Sequence, residues 1–105
     1  MDKSKAIETV QRYLKNIAGK YQIENAFIFG SHAQGTQRQD SDIDMAIVFK
    51  SVDDIIDLQI ELLKTRTDED LLIEPHPFSE KDFNASNPVV SEILKTGIKI
   101  PSPAA

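Results

Sequence analysis

Apolar residues follow a helical spacing at the start of the chain. They stand three or four positions apart at Ile7, Val10, Leu14 and Ile17, which is the pattern of an amphipathic helix with one buried face. Ser4 is placed to cap the start of this helix, and we expect Gly19 to end it in a left-handed conformation. The first element is therefore predicted to be a packing helix.

Three shorter apolar runs predict β-strands at residues 26–29, 42–49 and 71–74. Between the first two lies a polar stretch with two glycines, in which we expect one short helical turn at residues 31–34. Pro75 and Pro77 follow the third run. Because proline cannot donate a hydrogen bond to a neighbouring strand, the third strand should end there or lie at an edge of the sheet.

A broad apolar arc predicts a helix after the second strand. Residues 51–54, Ser-Val-Asp-Asp, resemble a capping box, and the helix should end between residues 65 and 67. The apolar positions of this helix are Ile55, Ile56, Leu58, Ile60, Leu62 and Leu63. The simplest interpretation is that these residues lie in the core. The apolar arc is wider than one buried face needs, however, and could leave Leu62 or Ile56 to contact a partner protein.

A last helix is indicated by Asn87 as its cap, Pro88 at its first position and Gly97 at its stop. A short turn at residues 79–82 could precede it. Strands and helices in this order predict an α/β (α+β) fold, a small mixed β-sheet packed with helices. We expect one domain over residues 1–100 and a disordered tail over residues 101–105.

Composition restricts the classes of protein that this chain can represent. Its 105 residues, 40% of them hydrophobic, suffice for one modest core. A net charge of −5 without a basic run argues against nucleic acid as the main partner. The chain has no cysteine for a disulfide or a thiolate metal site. Since no apolar run approaches the roughly 20 residues that span a bilayer, we expect a soluble cytoplasmic protein without a membrane partner.

The candidate chemistry lies where the first strand ends and the second begins. Gly30 lets the backbone approach a phosphate closely, and Ser31 adds a hydroxyl donor at the start of the short helical turn. Side chains alternate along a strand, so Asp42 and Asp44 must point the same way. Two such carboxylates are suitable ligands for Mg²⁺. The residues thus indicate phosphoryl or nucleotidyl transfer from a nucleoside triphosphate.

Three further residues have two roles open to them. Glu74, in the third apolar run, is the candidate for a third metal-binding acid in a two-metal arrangement, or it is a plain surface acid. Arg38 either contacts the triphosphate or is solvated, and solvation is the simpler expectation. His76 has the strand parity of Glu74 and could approach a substrate, but a histidine between two prolines is more simply a loop residue. The turn and the paired aspartates also have an ordinary alternative, a strand-ending turn and a solvated strand edge.

Gly30-Ser31, ten intervening residues and then Asp42-Ile43-Asp44 resemble the Gly-Ser-x10-Asp-x-Asp signature of the DNA polymerase beta-like nucleotidyltransferase superfamily. Ala33, Gly35 and Ser41 also resemble the fuller pattern of its minimal nucleotidyltransferases, small proteins that are often the antitoxin partner of a helical HEPN toxin. The chain departs from that pattern at His32 and Gln34, where relatives often have an aromatic residue and an arginine.

The resemblance implies a role for each of these residues. Gly30, Ser31 and Arg38 would hold the nucleotide, while Asp42, Asp44 and Glu74 would bind Mg²⁺ or Mn²⁺ and act in catalysis. It further implies an enzyme that transfers AMP from ATP to a protein hydroxyl. The acceptor would be held by a HEPN-like helical protein or by a second copy of this chain. The alternative is a non-catalytic module that binds nucleotide or occludes a partner protein.

Overall fold

The computed structural model describes residues 2–101 of the chain. The elements are helix α1 (Lys3–Ile17), strand β1 (Ile23–Phe29), helix α2 (Ser31–Gln34), strand β2 (Ile43–Phe49), helix α3 (Ile55–Lys64), a 3₁₀ turn (Asp68–Asp70), strand β3 (Ile73–Ser79), helix α4 (Pro88–Thr96) and strand β4 (Ile98–Ile100). The predicted tail falls, apart from Pro101, outside the described residues. None of the helices within residues 2–101 is long and apolar enough to cross a lipid bilayer.

The four strands form one mixed sheet in the order β3-β2-β1-β4. β1 is antiparallel to both of its neighbours, β2 and β4, whereas β2 and β3 are parallel. The parallel pair is joined by a crossover that contains α3, as parallel strands require. The predicted small mixed sheet packed with helices is therefore confirmed.

The strand boundaries differ from those expected. β1 begins at Ile23, three residues earlier than predicted, and the short β4 after α4 was not predicted. β3 begins at Ile73 and continues through both prolines to Ser79. Leu72 and Glu80 make backbone hydrogen bonds to Ile43 and Phe49. Since bonding direction alternates along a strand, the nitrogens of the odd-numbered prolines face away from β2. The prolines mark an edge strand and do not end it.

Three predicted helix ends are wrong. Asp2, not Ser4, caps α1 by accepting a hydrogen bond from the Lys5 backbone N–H, so the helix starts earlier. Asp54 caps α3, where its carboxylate accepts from two backbone N–H groups, and no capping box begins at Ser51. Gly19 is not left-handed, because positive φ angles within residues 2–101 occur at Gly30 and Gly35. The starts of α1 and α3 are thus set by which side chain reaches the free N–H groups.

The expected start and stop of α4 are confirmed. The Asn87 side chain accepts from the backbone N–H groups of Val89 and Val90, and Pro88 occupies the first turn. Gly97 follows the last helical residue with φ −71° and ψ 157°, in extended backbone. A Cβ at this position would overlap the carbonyl oxygen of Ile93. The end of the helix therefore favours glycine at residue 97, because only a residue without a Cβ avoids this overlap.

Each face of the sheet carries a separate apolar cluster. On one face, α1 packs against alternate residues of β2, namely Ile43, Met45, Ile47 and Phe49. On the other face, Ala46 and Val48 contact Ile93 of α4, together with Phe27, Phe78 and Phe83. Leu62 is fully buried, so it is not available to a partner, whereas Ile56 is 67% exposed. Alternation along β2 places Asp44 on the same face as Ala46 and Val48, beyond the end of this second apolar cluster.

Tyr13 joins α1 to α3 by donating a 2.6 Å hydrogen bond from its hydroxyl to the Leu62 carbonyl. Burial, with a smaller contribution from the nearby Asp70 carboxylate, raises the pKa of this hydroxyl. The folded state therefore keeps its proton when the unfolded state begins to lose it, near pH 10. Stability from this group is complete below that pH and declines as the pH rises above it.

Tyr13→Phe is expected to lower the free energy of unfolding by about 1–2 kcal/mol at neutral pH, because it leaves the buried Leu62 carbonyl without its partner. Above pH 10 the difference from the wild type should shrink. Urea unfolding at pH 7 and at pH 10–11 measures both effects. Tyr21→Phe, which retains the edge-on ring contact with Phe49, is the control. A constant difference across this pH range would contradict the assignment.

Candidate active site

The candidate site lies at one end of the sheet, where β1 ends and β2 and β3 begin. The register pairs Phe29, the last residue of β1, with Asp44 of β2. It pairs Asp44 in turn with Glu74 of β3. Strand pairing therefore brings the turn after Phe29 and the two carboxylates to the same end of the sheet, although they come from distant parts of the sequence.

The turn after β1 requires glycine at residue 30 for two reasons. Gly30 has φ 74° and ψ −147°, a backbone conformation that residues with a side chain rarely adopt. A Cβ at this position would also lie 2.5 Å from Oδ2 of Asp44. The Gly30 carbonyl accepts 3.1 Å hydrogen bonds from the N–H groups of Ala33 and Gln34, which form the expected helical turn. The turn backbone and the Asp44 carboxylate are thus in direct contact.

The two aspartates predicted as a pair differ in their surroundings. Asp44 lies within β2, and its side chain is 30% exposed. Asp42 precedes the first residue of β2 and is exposed. The predicted strand start at residue 42 is therefore one residue early. Asp44 is held by the sheet on both sides, whereas Asp42 lies at the end of the loop that leads into it.

Three side chains are close enough together to hold a metal ion. Asp44, Glu74 and His76 each offer one ligand atom, and these atoms all lie within 4.8 Å of one another. Glu74 is exposed, and His76 is partly buried. Asp42 is not a member of this group. The structure thus brings together two of the three predicted metal-binding acids and adds a histidine.

His76 is held on two sides. Its Nε2 lies 3.2 Å from Oδ1 of Asp44, and its ring meets that of Phe29 edge-on with the centroids 5.1 Å apart. The expectation that His76 is a loop residue is wrong, because β3 continues through Pro75 and Pro77. Its shared parity with Glu74 was the signal that could have placed it on the acid-bearing face.

Arg38 and Ser41 belong to the loop that connects α2 to β2. The backbone N–H of Arg38 donates a 2.7 Å hydrogen bond to Oγ of Ser41, and the N–H of Ser41 donates to the Arg38 carbonyl. The residue Arg38 is exposed. The structure therefore places Arg38 on the surface of this loop, outside the group formed by Asp44, Glu74 and His76.

The two residues that depart from the fuller motif stabilise the turn. His32 is buried, and its Nε2 lies 3.3 Å from the Ser41 carbonyl oxygen. Gln34 donates a 3.0 Å hydrogen bond from Nε2 to Oε1 of Glu92 on α4. These contacts connect α2 to the loop before β2 and to α4. Gln34 is accordingly engaged with a protein side chain in this structure.

A cavity of about 440 Å³ lies at the opposite end of β2, beside Phe49. Its lining includes Tyr21 and Leu58 as well as the carboxylates of Asp53 and Asp57. β2 separates this cavity from the Asp44 end of the sheet. The cavity is therefore distinct from the candidate site.

The comparisons with known proteins agree with this fold. The chain matches the family model described as polymerase beta, nucleotidyltransferase, over residues 11–103. It is also similar to the crystal structure of a candidate nucleotidyltransferase from Sulfolobus solfataricus, with 17% identity and a TM-score of 0.71 over 97% of this chain and 85% of that one. Among curated proteins, no sequence matches significantly.

Two toxin–antitoxin structures are similar as well. One contains AMP-PNP and has 20% identity and a TM-score of 0.56 over 97% of this chain and 74% of that one. The other is a MntA–HpeT mutant with two aspartates changed to glutamate, with 18% identity and a TM-score of 0.53 at the same coverage. At these identities the solved structures establish a shared fold. The family model, however, spans most of the chain and all of the candidate site. The protein therefore belongs to the polymerase beta nucleotidyltransferase family, as its resemblance to the minimal nucleotidyltransferases predicts.

Proposed function

We propose that this protein transfers AMP from ATP to a hydroxyl group of a partner protein, with a divalent cation held by Asp42, Asp44 and Glu74. The observation that carries the proposal is the contact between the Gly30 turn and the Asp44 carboxylate. A metal-bound polyphosphate is bound through its phosphates and through its cation. Such a ligand therefore fits a turn that can approach phosphate closely and an adjacent carboxylate that can bind a cation.

The donor set supports a divalent cation. Mg²⁺ binds oxygen at about 2.0–2.1 Å, so two of its ligand atoms lie about 3–4 Å apart. The ligand atoms of Asp44 and Glu74 lie within 4.8 Å of each other, which small side-chain rotations bring into this range. Asp42, two residues before Asp44 and exposed, would join them by a rotation of its own side chain. A bound cation would polarise the phosphoryl oxygens and stabilise the charge on the leaving group.

The remaining groups of the site would bind and orient ATP. Ser31, the first residue of α2, would donate its hydroxyl to a phosphate oxygen, and Arg38 would supply positive charge from the adjoining loop. In the transfer, the acceptor hydroxyl gives its proton to a site carboxylate, and its oxygen bonds the α-phosphorus. The bond from that phosphorus to the bridging oxygen breaks, and pyrophosphate leaves.

The likeness to toxin–antitoxin structures supports a protein as the acceptor. One of those structures contains AMP-PNP, an ATP analogue. We propose a HEPN-like helical toxin, or a second copy of this chain, as the protein that presents the hydroxyl, and the cytoplasm as the compartment where they meet. This protein would then act as the antitoxin.

A second candidate function is neutralisation of the partner by binding alone. The hydrogen bond from Gln34 to Glu92 favours it, because the position at which relatives often supply an arginine is tied to α4 here. In this case the protein would keep its nucleotide affinity and the partner would be neutralised without being labelled. Labelling of the partner distinguishes the two functions.

The test of transfer uses Mg²⁺, ATP labelled on the α-phosphate and the protein encoded by the neighbouring gene. We expect that protein to acquire the label, and Asp44→Asn or Glu74→Gln to reduce the rate about 100-fold or more, because a metal ligand is lost. Asp42→Asn is expected to have the same effect. Asp82→Asn, an exposed acid after β3, is the matched control. Unchanged labelling in any of the three site variants would remove that residue from the metal assignment.

The contact between Gly30 and Asp44 can be tested against a second left-handed glycine. Gly30→Ala and Gly35→Ala both place a side chain at positive φ, 74° and 77°. Gly35 has left-handed helical backbone, so Gly35→Ala should lower stability by about 1–2 kcal/mol. Gly30→Ala should lower it by more, because its ψ of −147° lies in a region that is nearly restricted to glycine. A Cβ at Gly35 meets nothing within 4 Å, whereas one at Gly30 displaces Asp44. Calorimetric titration with ATP and Mg²⁺ should therefore show weakened binding for Gly30→Ala and near wild-type binding for Gly35→Ala. Equal affinities in the two variants would argue against this contact as the basis of nucleotide binding.

A further inference from the structure

We propose that His76 is a nitrogen ligand of the cation site, so that Asp44, Glu74 and His76 bind a divalent transition-metal ion such as Mn²⁺ in preference to Mg²⁺. This inference rests on the proposed function, because it takes the Asp44 end of the sheet to be a cation site. It adds to that function the identity of the metal and a ligand from the edge strand.

The spacing of the ligand atoms supports the proposal. With bonds of about 2.1 Å, two adjacent ligand atoms of an octahedral ion lie about 3.0 Å apart, and two opposite ones lie about 4.2 Å apart. Nε2 of His76 lies 3.2 Å from Oδ1 of Asp44, close to the adjacent spacing. All three ligand atoms lie within 4.8 Å of one another, near the opposite spacing. A cation could therefore replace the hydrogen bond between His76 and Asp44 with little movement of either side chain.

The backbone around His76 holds the imidazole in this place. β3 pairs in parallel with β2, which sets Glu74 opposite Asp44 and His76 opposite Ala46. The small side chain of Ala46 leaves room for the ring to lean toward Asp44. Pro75 and Pro77 fix the backbone φ angle on both sides of His76. A ligand on such a constrained strand loses little conformational freedom when a metal binds.

Contacts with the ring add to this positioning. The Phe29 ring meets the imidazole edge-on at 5.1 Å between centroids, on the side of β2 opposite to β3. Because Phe29 is paired with Asp44, the same aromatic ring borders the carboxylate. The side chain of His76 is 32% exposed and that of Asp44 is 30% exposed, so the group remains open to an ion and to its waters. The site thus combines positioned ligands with room for a substrate oxygen.

The nitrogen ligand determines which metal is preferred. Mg²⁺ prefers oxygen ligands and gives up its water reluctantly, whereas imidazole suits transition-metal ions. Two carboxylates and one imidazole form a mixed set that a transition-metal dication can use in full. Mg²⁺ would draw mainly on Asp44 and Glu74. Removal of the imidazole should therefore weaken Mn²⁺ binding selectively.

The test measures Mn²⁺ and Mg²⁺ binding to the full chain without nucleotide, by calorimetry and by the electron paramagnetic resonance of free Mn²⁺. The wild type is expected to bind Mn²⁺ at least tenfold more tightly than Mg²⁺. His76→Ala should lower Mn²⁺ affinity about tenfold and change Mg²⁺ affinity by less than about twofold. His76→Gln, which retains a polar side chain without the imidazole nitrogen, should behave as His76→Ala does and serves if the alanine variant does not fold.

Pulsed electron paramagnetic resonance supplies a direct readout of the ligand. Bound Mn²⁺ should show coupling to an imidazole nitrogen in the wild type and lose it in His76→Ala. The chain has two histidines, and His32 remains in this variant, so the loss identifies His76. Absence of the nitrogen coupling in the wild type, or an equal loss of Mn²⁺ and Mg²⁺ affinity in the variant, would overturn the proposal.

These outcomes are separable from those of the proposed function. A chain that binds Mn²⁺ through His76 and labels no partner would contradict AMP transfer and leave the metal inference intact. A chain that labels its partner with Mg²⁺ but shows no nitrogen coupling would contradict the metal inference and leave AMP transfer intact.

Discussion

The contact between the Gly30 backbone and the Asp44 carboxylate is the constraint on which the candidate site depends. It exists because β1 and β2 are antiparallel neighbours with Phe29 opposite Asp44, so the turn that leaves one strand adjoins the start of the other. A side chain at residue 30 would lie within 2.5 Å of the carboxylate oxygen. The sheet therefore defines the distance between the Gly30 turn and the Asp44 carboxylate, the groups proposed to bind phosphate and cation, before any ligand is present.

Local patterns in the sequence predict the elements of this fold better than their ends. The alternation along residues 42–49 and the helical turn at residues 31–34 are local properties, and both are found in the structure. The early start of β1 and the short β4 depend on strands that are distant in sequence, since β4 pairs with β1 across most of the chain. Asp2 replaces Ser4 as a cap because the carboxylate two residues earlier reaches the Lys5 backbone N–H. The strand pairings cannot be read from one segment alone.

The residues of the candidate site likewise fall into those that a local motif identifies and one, His76, whose place depends on the sheet. Gly30, Ser31, Asp42 and Asp44 were identified from a motif with fixed spacing, and the structure places Gly30 against Asp44. His76 was assigned to a loop because proline commonly ends a strand. That rule does not apply to an edge strand, where the nitrogens at alternate positions face away from the sheet. The prolines leave open whether the strand ends or lies at an edge, and the position of β3 in the sheet thus decides that this histidine lies beside the acids.

The two prolines also limit how the sheet can grow. At residues 75 and 77 the outer side of β3 offers carbonyl oxygens but no N–H donors, and one of these carbonyls already accepts a hydrogen bond from Gln59. A further strand would find few donors there, so edge-to-edge association of two copies through β3 is disfavoured. The strand that carries Glu74 and His76 is thereby kept as a boundary of the sheet, and an incoming protein can reach these residues without first separating a neighbouring strand.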